Sequence, residues 1–274
     1  MSQVREYVER RELLTNLVLR ELRSRYKRST LGWTWSLLNP LSSVLIYWAV
    51  FGVFLKVDPP VGEPSGQHNF VLFLLCALIP WNFFSNGVMQ SIESLVVNAG
   101  LIRKVYFPRE LLVASTVGGL LVTFFIELGV VLTILLIAGN MVLPWIPVVF
   151  VLVVLQSLMV LGIGLLLSAA NVYFRDVRHF VTLIMPVLFY STPIVYPITT
   201  VPETWNVAGH AIPLRQIYTY NPLVRLVTAY RDAMYSLRMP SWTTLGYIAL
   251  WAVGLVLVGQ WVFNRLDHRL AEEV

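Results

Sequence analysis

Six apolar runs divide the chain, at roughly 37–55, 70–90, 111–137, 146–169, 180–197 and 243–263. Most approach the ~20 apolar residues needed to cross a hydrocarbon core ~30 Å thick. The fifth run is unusual, because Pro186, Pro193 and Pro197 fall within twelve residues. Each proline removes a backbone donor and crowds the preceding turn. Non-helical backbone at membrane depth persists only where protein buries it or where it lines a cavity. An interrupted helix is predicted there, with Ile194 and Tyr196 reachable from outside. Asn39-Pro40 predicts the start of the first span, with Asn as cap and Pro in the first turn. Asn221-Pro222 repeats the pattern. Leu223, Leu226, Val227, Tyr230, Met234 and Leu237 then recur at helical spacing. They predict an amphipathic helix to about residue 238, too short and too charged to span, lying in or dipping into the outer leaflet.

Residues 4–28 carry Leu14, Leu17, Val18 and Leu22 at helical spacing among Arg10, Arg11, Arg20, Arg23, Arg25, Lys27 and Arg28. That is a basic amphipathic helix suited to the headgroup layer. The plainer reading is a solvated tether. Trp33 and Trp35 follow at the depth of an aromatic belt. The loop 93–110 mixes Asn98, Leu101 and Ile102 with Arg103 and Lys104. It reads equally as a short helix that docks on a soluble partner and as a surface turn.

Composition narrows the class. The 274 residues are 57% hydrophobic and 13% charged, against about 25% charged in a typical soluble domain. Six spans leave little for a soluble domain, so one membrane domain is expected over 37–264. A segment 1–36 precedes it and a tail 265–274 follows. The net charge of +5 is sorted by topology and points to no nucleic acid. With the N-terminus in the cytoplasm, fifteen of the 20 Lys and Arg fall on the cytoplasmic side, as the positive-inside rule requires. Both termini are then cytoplasmic. No signal peptide is expected before the first run. Cys76 stands alone, which excludes an intrachain disulfide.

The chemistry expected of an enzyme is missing. The chain contains no Gly-x-x-x-x-Gly-Lys-Ser/Thr, no His-Glu-x-x-His and no Gly-x-Ser-x-Gly. Its four histidines are scattered, so no metal or cofactor is expected in this chain. Glu127 sits mid-way along the third run, where a charge costs roughly 2.5–3.5 kcal/mol. Three readings fit it: structural hydrogen bonding, lining of a polar conduit, or proton coupling. Proton coupling needs titratable partners in other runs, and only Gln156 lies at comparable depth. Among the aromatics, Trp48, Phe83, Phe84, Tyr190 and Tyr196 fit either packing or a pathway whose rings stack on sugars.

Several blocks resemble one family. Arg25-Tyr-Lys-Arg-Ser-Thr-Leu-Gly-Trp-Thr-Trp-Ser-Leu-Leu-Asn-Pro-Leu41 is similar to the segment leading into the first span of bacterial polysaccharide-exporting ATP-binding cassette (ABC) permeases of type 2. So are Leu101-Ile-Arg-Lys-Val-Tyr-Phe-Pro-Arg-Glu110, Tyr173-Phe-Arg-Asp-Val-Arg178, Thr192-Pro-Ile-Val-Tyr-Pro197, Asn221-Pro-Leu223 and Ala229-Tyr-Arg-Asp-Ala233. The resemblance covers about residues 12–265. It implies an all-α, six-helix permease in the bacterial cytoplasmic membrane, pairing with a second copy of itself. Two copies of a separate ABC ATPase subunit would bind ATP and Mg. The loop 93–108 would be the coupling helix, and the N-terminal helix would lie at the interface beside it. Pro193, Pro197 and the helix from Pro222 would belong to an external gate, 193–238. A lipid-linked polysaccharide of the O-antigen, teichoic acid or galactan kind would pass between the copies. The segment 198–220 matches no family pattern.

The bottom-up reading agrees, since a transporter without an ATP site or a charged relay needs an external engine. A small-molecule or drug exporter of the same superfamily is the alternative. A membrane-embedded glycosyltransferase would need a carboxylate pair, and Glu93, Glu110 and Asp176 are scattered. A secondary transporter is disfavoured by the lack of inverted repeats and of paired intramembrane charges.

Overall fold

The computed structural model describes residues 2–25, 34–105, 107–207 and 210–273. Helix α3 (Phe70–Val97) is the axis of the bundle. Its first two-thirds is apolar on nearly every side, and such a helix has to be buried. Fully 78% of its most apolar window is buried, against 17% for α10 (Trp242–Glu273), which presents Leu250, Val253, Leu257 and Trp261 outward. Asn69 caps α3, its Oδ1 accepting from the Val71 amide at 2.9 Å. On this axis pack α5 (Glu110–Ile137) and α6 (Ile146–Tyr173), and α10 packs against α6.

The α6 crossings are made by glycine. A Cβ at Gly162 would fall on the backbone of Leu255, and one at Gly259 on the carbonyl of Gly162. A Cβ at Gly87 would meet Val160 Cγ1 at 2.5 Å. In lipid, where helices gain nothing from excluding water, such close approach is a main source of association.

Among the described residues, four helical stretches are long and apolar enough to cross a membrane: Phe70–Val97, Glu110–Ile137, Leu143–Tyr173 and Trp242–Leu266. The other two expected spans are shorter. The first is α2 (Thr34–Tyr47), which runs on as π-helical turns over Trp48–Phe54. The helix already includes Thr34, so Asn39-Pro40 lies inside it and does not start it. The second is α7 (Asp176–Ser191), whose 16 residues cover ~24 Å at 1.5 Å each, less than a full crossing. Pro186 sits within it. The helix stops at Ser191 because Pro193 has no amide to continue the ladder.

Beyond α7 the fold departs from all-α. The strands β1 (Trp205–Val207) and β2 (His210–Ile212) pair antiparallel within the unmatched segment, and α8 (Leu214–Tyr220) follows. Helix α9 (Pro222–Arg231) begins where the sequence predicts, with Asn221 Oδ1 accepting from the Leu223 amide at 2.9 Å. It is not a surface helix of the bundle. Leu223, Val224, Leu226, Val227, Tyr230 and Arg231 are buried among α3, α6 and α10. Its continuation, the π turns Asp232–Ser236, closes with Leu237 in the left-handed region at φ 57°. Helix α10 runs to Glu273, through the stretch expected to be a separate tail.

At the opposite end of the bundle a second, smaller core forms. Leu17 of α1 (Ser2–Arg25) is 5% exposed and joins Leu95, Ile102, Leu112, Val172 and Phe263. Val18 and Glu21 seat over Gly118 and Gly119 of α5. This part of α1 is packed, which disposes of the tether reading for it. Lys27 and Trp33 lie outside the described residues, as does the side chain of Arg25; Trp35 is exposed on α2.

Candidate translocation groove and its braces

An open groove of about 390 Å³ lies between α2, α3 and α7. Its α3 wall is one helical face, Leu78, Trp81, Asn82, Ser85 and Met89, at the spacing i, i+3, i+4, i+7. Thr182, Met185, Pro186 and Phe189 repeat that spacing on α7, and Ser43 and Tyr47 come from α2. Phe189 organises the floor. Its ring is stacked with Tyr47 (5.5 Å, 26°) and edge-on to Trp81 (5.5 Å) and Tyr190 (5.1 Å). The surface thus combines ring faces with hydroxyls and an amide. Flanking it, α2 and the π turns after it expose Leu38, Leu41, Leu45 and Trp48, and α7 exposes Phe180, Leu183, Val187 and Tyr190.

The expected pathway residues divide. Tyr190 lines the groove and is 57% exposed. Tyr196 lies just beyond and donates its hydroxyl to the Tyr190 carbonyl at 2.5 Å. Pro193 and Pro197 flank that turn, and Ile194, expected to be reachable, is fully buried. Phe83 and Phe84 are buried in the bundle core, Phe83 stacked on Phe124 at 4.6 Å, because they point away from the α3 groove face. Trp48 is exposed on the π turns, and Glu127 is partly exposed on α5. Neither is among the described residues lining the groove.

The predicted coupling segment forms α4 (Ala99–Ile102). Asn98 stands at its joint with α3, donating to the Ser94 carbonyl at 2.8 Å and accepting from Arg20 of α1. Ile102 is 8% exposed and belongs to the smaller core, and Leu101 is half-buried. The solvent-facing side chains are Arg103, Lys104 and Val105. Glu93, one turn earlier on α3, pairs with Arg178 at the start of α7 (2.5 Å), and this engages a carboxylate that an enzymatic reading would need.

Two buried polar braces were not assigned a role from sequence. Gln156 Nε2 donates to the Pro80 carbonyl at 2.7 Å, and Tyr230 donates to Gln156 Oε1 at 2.8 Å. This chain stitches α9 to α6 and α3. Arg231 donates to the carbonyls of Pro193 (2.5 Å), Ile194 (2.5 Å) and Phe73 (3.3 Å), and its guanidinium lies 3.5 Å over the Phe73 ring. A charge at membrane depth costs roughly 2.5–3.5 kcal/mol. Charge-assisted bonds of about 1.5–3 kcal/mol each and a desolvated cation–π contact of about 2 offset that. The Tyr-Arg-Asp block was a visible signal, but sequence alone does not show which carbonyls such an arginine serves.

The sequence profile of the ABC-2 type transporters matches residues 12–235. The chain belongs to that family. The O-antigen export system permease protein RfbA of Klebsiella pneumoniae is 32% identical over 265 residues, 95% of this chain and 94% of that protein. RfbA of Myxococcus xanthus is also 32% identical, over 99% of this chain and 98% of its own length. The polysialic acid transport protein KpsM of Escherichia coli is 27% identical over 93% of each chain. These ABC-2 relatives match along nearly their whole length, so the groove, the α4 turn and the Tyr-Arg-Asp block all lie within the aligned region. The chain is accordingly an integral membrane protein of the transport-permease class.

Proposed function

We propose that this chain is the permease subunit of an exporter that carries a lipid-linked polysaccharide across the cytoplasmic membrane, driven by ATP hydrolysed on a separate subunit. The observation that carries the reading is the groove lined by Tyr47, Trp81, Phe189 and Tyr190 with Ser43, Asn82, Ser85 and Thr182. Sugar rings offer apolar C–H faces to aromatics and hydroxyls to polar side chains, and a mixed surface of this kind meets both. A drug exporter of the same superfamily calls for a more uniformly apolar path. The relatives named for O-antigen and polysialic acid export point the same way.

The groove is open on one side and flanked by exposed apolar stripes on α2 and α7. A second copy related by a twofold axis along the membrane normal would cover both stripes and close the groove into a conduit. The α1 end faces the cytoplasm in this reading, and the α9 end faces outward, with the 193–238 region as the gate. ATP and Mg sit on the partner ATPase. Native mass measurement of the purified complex is expected to show two copies of this chain with two ATPase subunits, and depletion to trap a polysaccharide inside cells. A functional complex with one copy of this chain sinks the interface, and a dimer without an ATPase sinks the energy source.

The solvent-facing Arg103 and Lys104 are the cationic contacts of the coupling turn. Reversing both, Arg103→Glu with Lys104→Glu, is expected to weaken ATPase binding about tenfold, as loss of paired interfacial charges does. Undiminished binding would remove this turn from the interface.

A further inference from the structure

Arg231 is 8% exposed, and its hydrogen bonds join two places far apart in sequence. One is the first turn of α3, through the Phe73 carbonyl and ring. The other is the dipeptide Pro193-Ile194, just past the end of α7. The neighbouring carboxylate of Asp232 is engaged by Arg238 Nε at 2.8 Å, which leaves the guanidinium to the carbonyls. Between α7 and that dipeptide stands Thr192. It is extended (φ −102°, ψ 127°), and its amide makes the last helical bond, to the Leu188 carbonyl at 3.0 Å. Its hydroxyl is buried without a hydrogen-bond partner. Pro193, having no amide, cannot extend the helix through this point.

The two sides of Thr192 differ. Ile194 and Val195 beyond it are 0% and 1% exposed, whereas Leu183, Val187 and Tyr190 before it are 73%, 66% and 57% exposed. Besides the backbone, the Tyr196 hydroxyl crosses from the buried side to the last turn of α7, on the Tyr190 carbonyl. A hydroxyl–carbonyl bond breaks more readily than a buried guanidinium leaves three carbonyls.

We propose that Arg231 is the fixed anchor of the external gate: it ties Pro193-Ile194 to the start of α3, so that opening moves α7 about Thr192 while the segment beyond stays in place. Arg231 is thus a positioning residue, and Tyr196 is the releasable latch. The proposal rests on the export reading given above, with the α9 end outward.

The test uses the permease–ATPase complex in nanodiscs, with Cys76→Ser and single cysteines at Ile194 or Met234, both fully buried. A bulky hydrophilic maleimide is the probe. With Arg231 intact both positions should stay protected. In Arg231→Gln, labelling at 194 is expected to rise at least about tenfold, the order set by losing one charge-assisted bond, while 234 stays protected. Arg231→Lys, with one ammonium in place of the fork, should give an intermediate rise. If Arg231→Gln does not accumulate, the lysine variant carries the same comparison. Protection of 194 in both variants overturns the anchor, and so does equal labelling of 194 and 234, which means general loosening. In sealed proteoliposomes of known orientation, labelling of 194 only from the ATPase side would overturn the assigned sidedness and leave the anchor standing.

Discussion

Replacing Gly259 with Leu should leave the chain unable to assemble stably in the membrane. Helices α6 and α10 share the most extensive helix–helix contact in the bundle, and at its centre Gly162 and Gly259 put backbone against backbone. A Cβ at either position falls on main-chain atoms of the facing helix, which cannot rotate away as a side chain would. The helices must separate, and packing along their length is lost. Overpacking a well-packed core costs typically 1–3 kcal/mol and occasionally more, which is a large part of the roughly 5–15 kcal/mol that holds a typical protein folded. Gly259→Ala should therefore lower the unfolding midpoint of the purified protein clearly, and Gly259→Leu should abolish accumulation. Gly254, on the same helix, has nothing within 4 Å of an added Cβ and serves as the control. Equal behaviour of Gly259→Ala and Gly254→Ala would sink the argument.

Filling the groove should stop transport without disturbing the fold. Thr182 lines it from the exposed side of α7, with Ser85, Asn82 and Met89 on the α3 wall. Thr182→Trp places a large ring in a space of about 390 Å³, while the buried α7 contacts through Val181, Met185 and Phe189 are left alone. Export is expected to fall at least tenfold, corresponding to about 1.4 kcal/mol or more on the rate-limiting passage. ATPase association and thermal stability should stay at wild-type levels, and Thr182→Ser should be neutral. Normal export by Thr182→Trp would mean that the cargo takes another route.

The long spans could be read from the sequence because each is a long apolar run, and hydropathy over such lengths leaves little else to form. Asn221-Pro222 could be read because its cap bond is local, made two residues away. The same pattern at Asn39-Pro40 misled, since Thr34 is already helical and a dipeptide does not report what precedes it. The seating of α9 in the interior was not readable. Its polar residues suggested a surface, yet Tyr230 and Arg231 are satisfied by Gln156, Pro193, Ile194 and Phe73, partners 37 to 158 residues away. The groove was half visible: Tyr190 stood out, while Trp81, Asn82 and Ser85 show their common face only once α3 is known to be a helix. Phe83 and Phe84 are the converse, aromatics whose neighbours in sequence line the groove while they themselves turn into the core. The short strands at 205–212 carried no pattern that periodicity detects, being three residues each.

The smaller core has a consequence for biogenesis. Leu17, near the start of the chain, and Phe263, near its end, occupy one cluster with Leu95, Leu112 and Val172. Helix α1 precedes α10 in the chain, so the cluster that buries it is not closed until α10 has been made and inserted. Throughout synthesis α1 therefore has an apolar stripe with an incomplete home. With the α1 end facing the cytoplasm, as proposed above, its arginines would suit it to wait on the anionic membrane surface, holding the stripe out of water until α10 arrives.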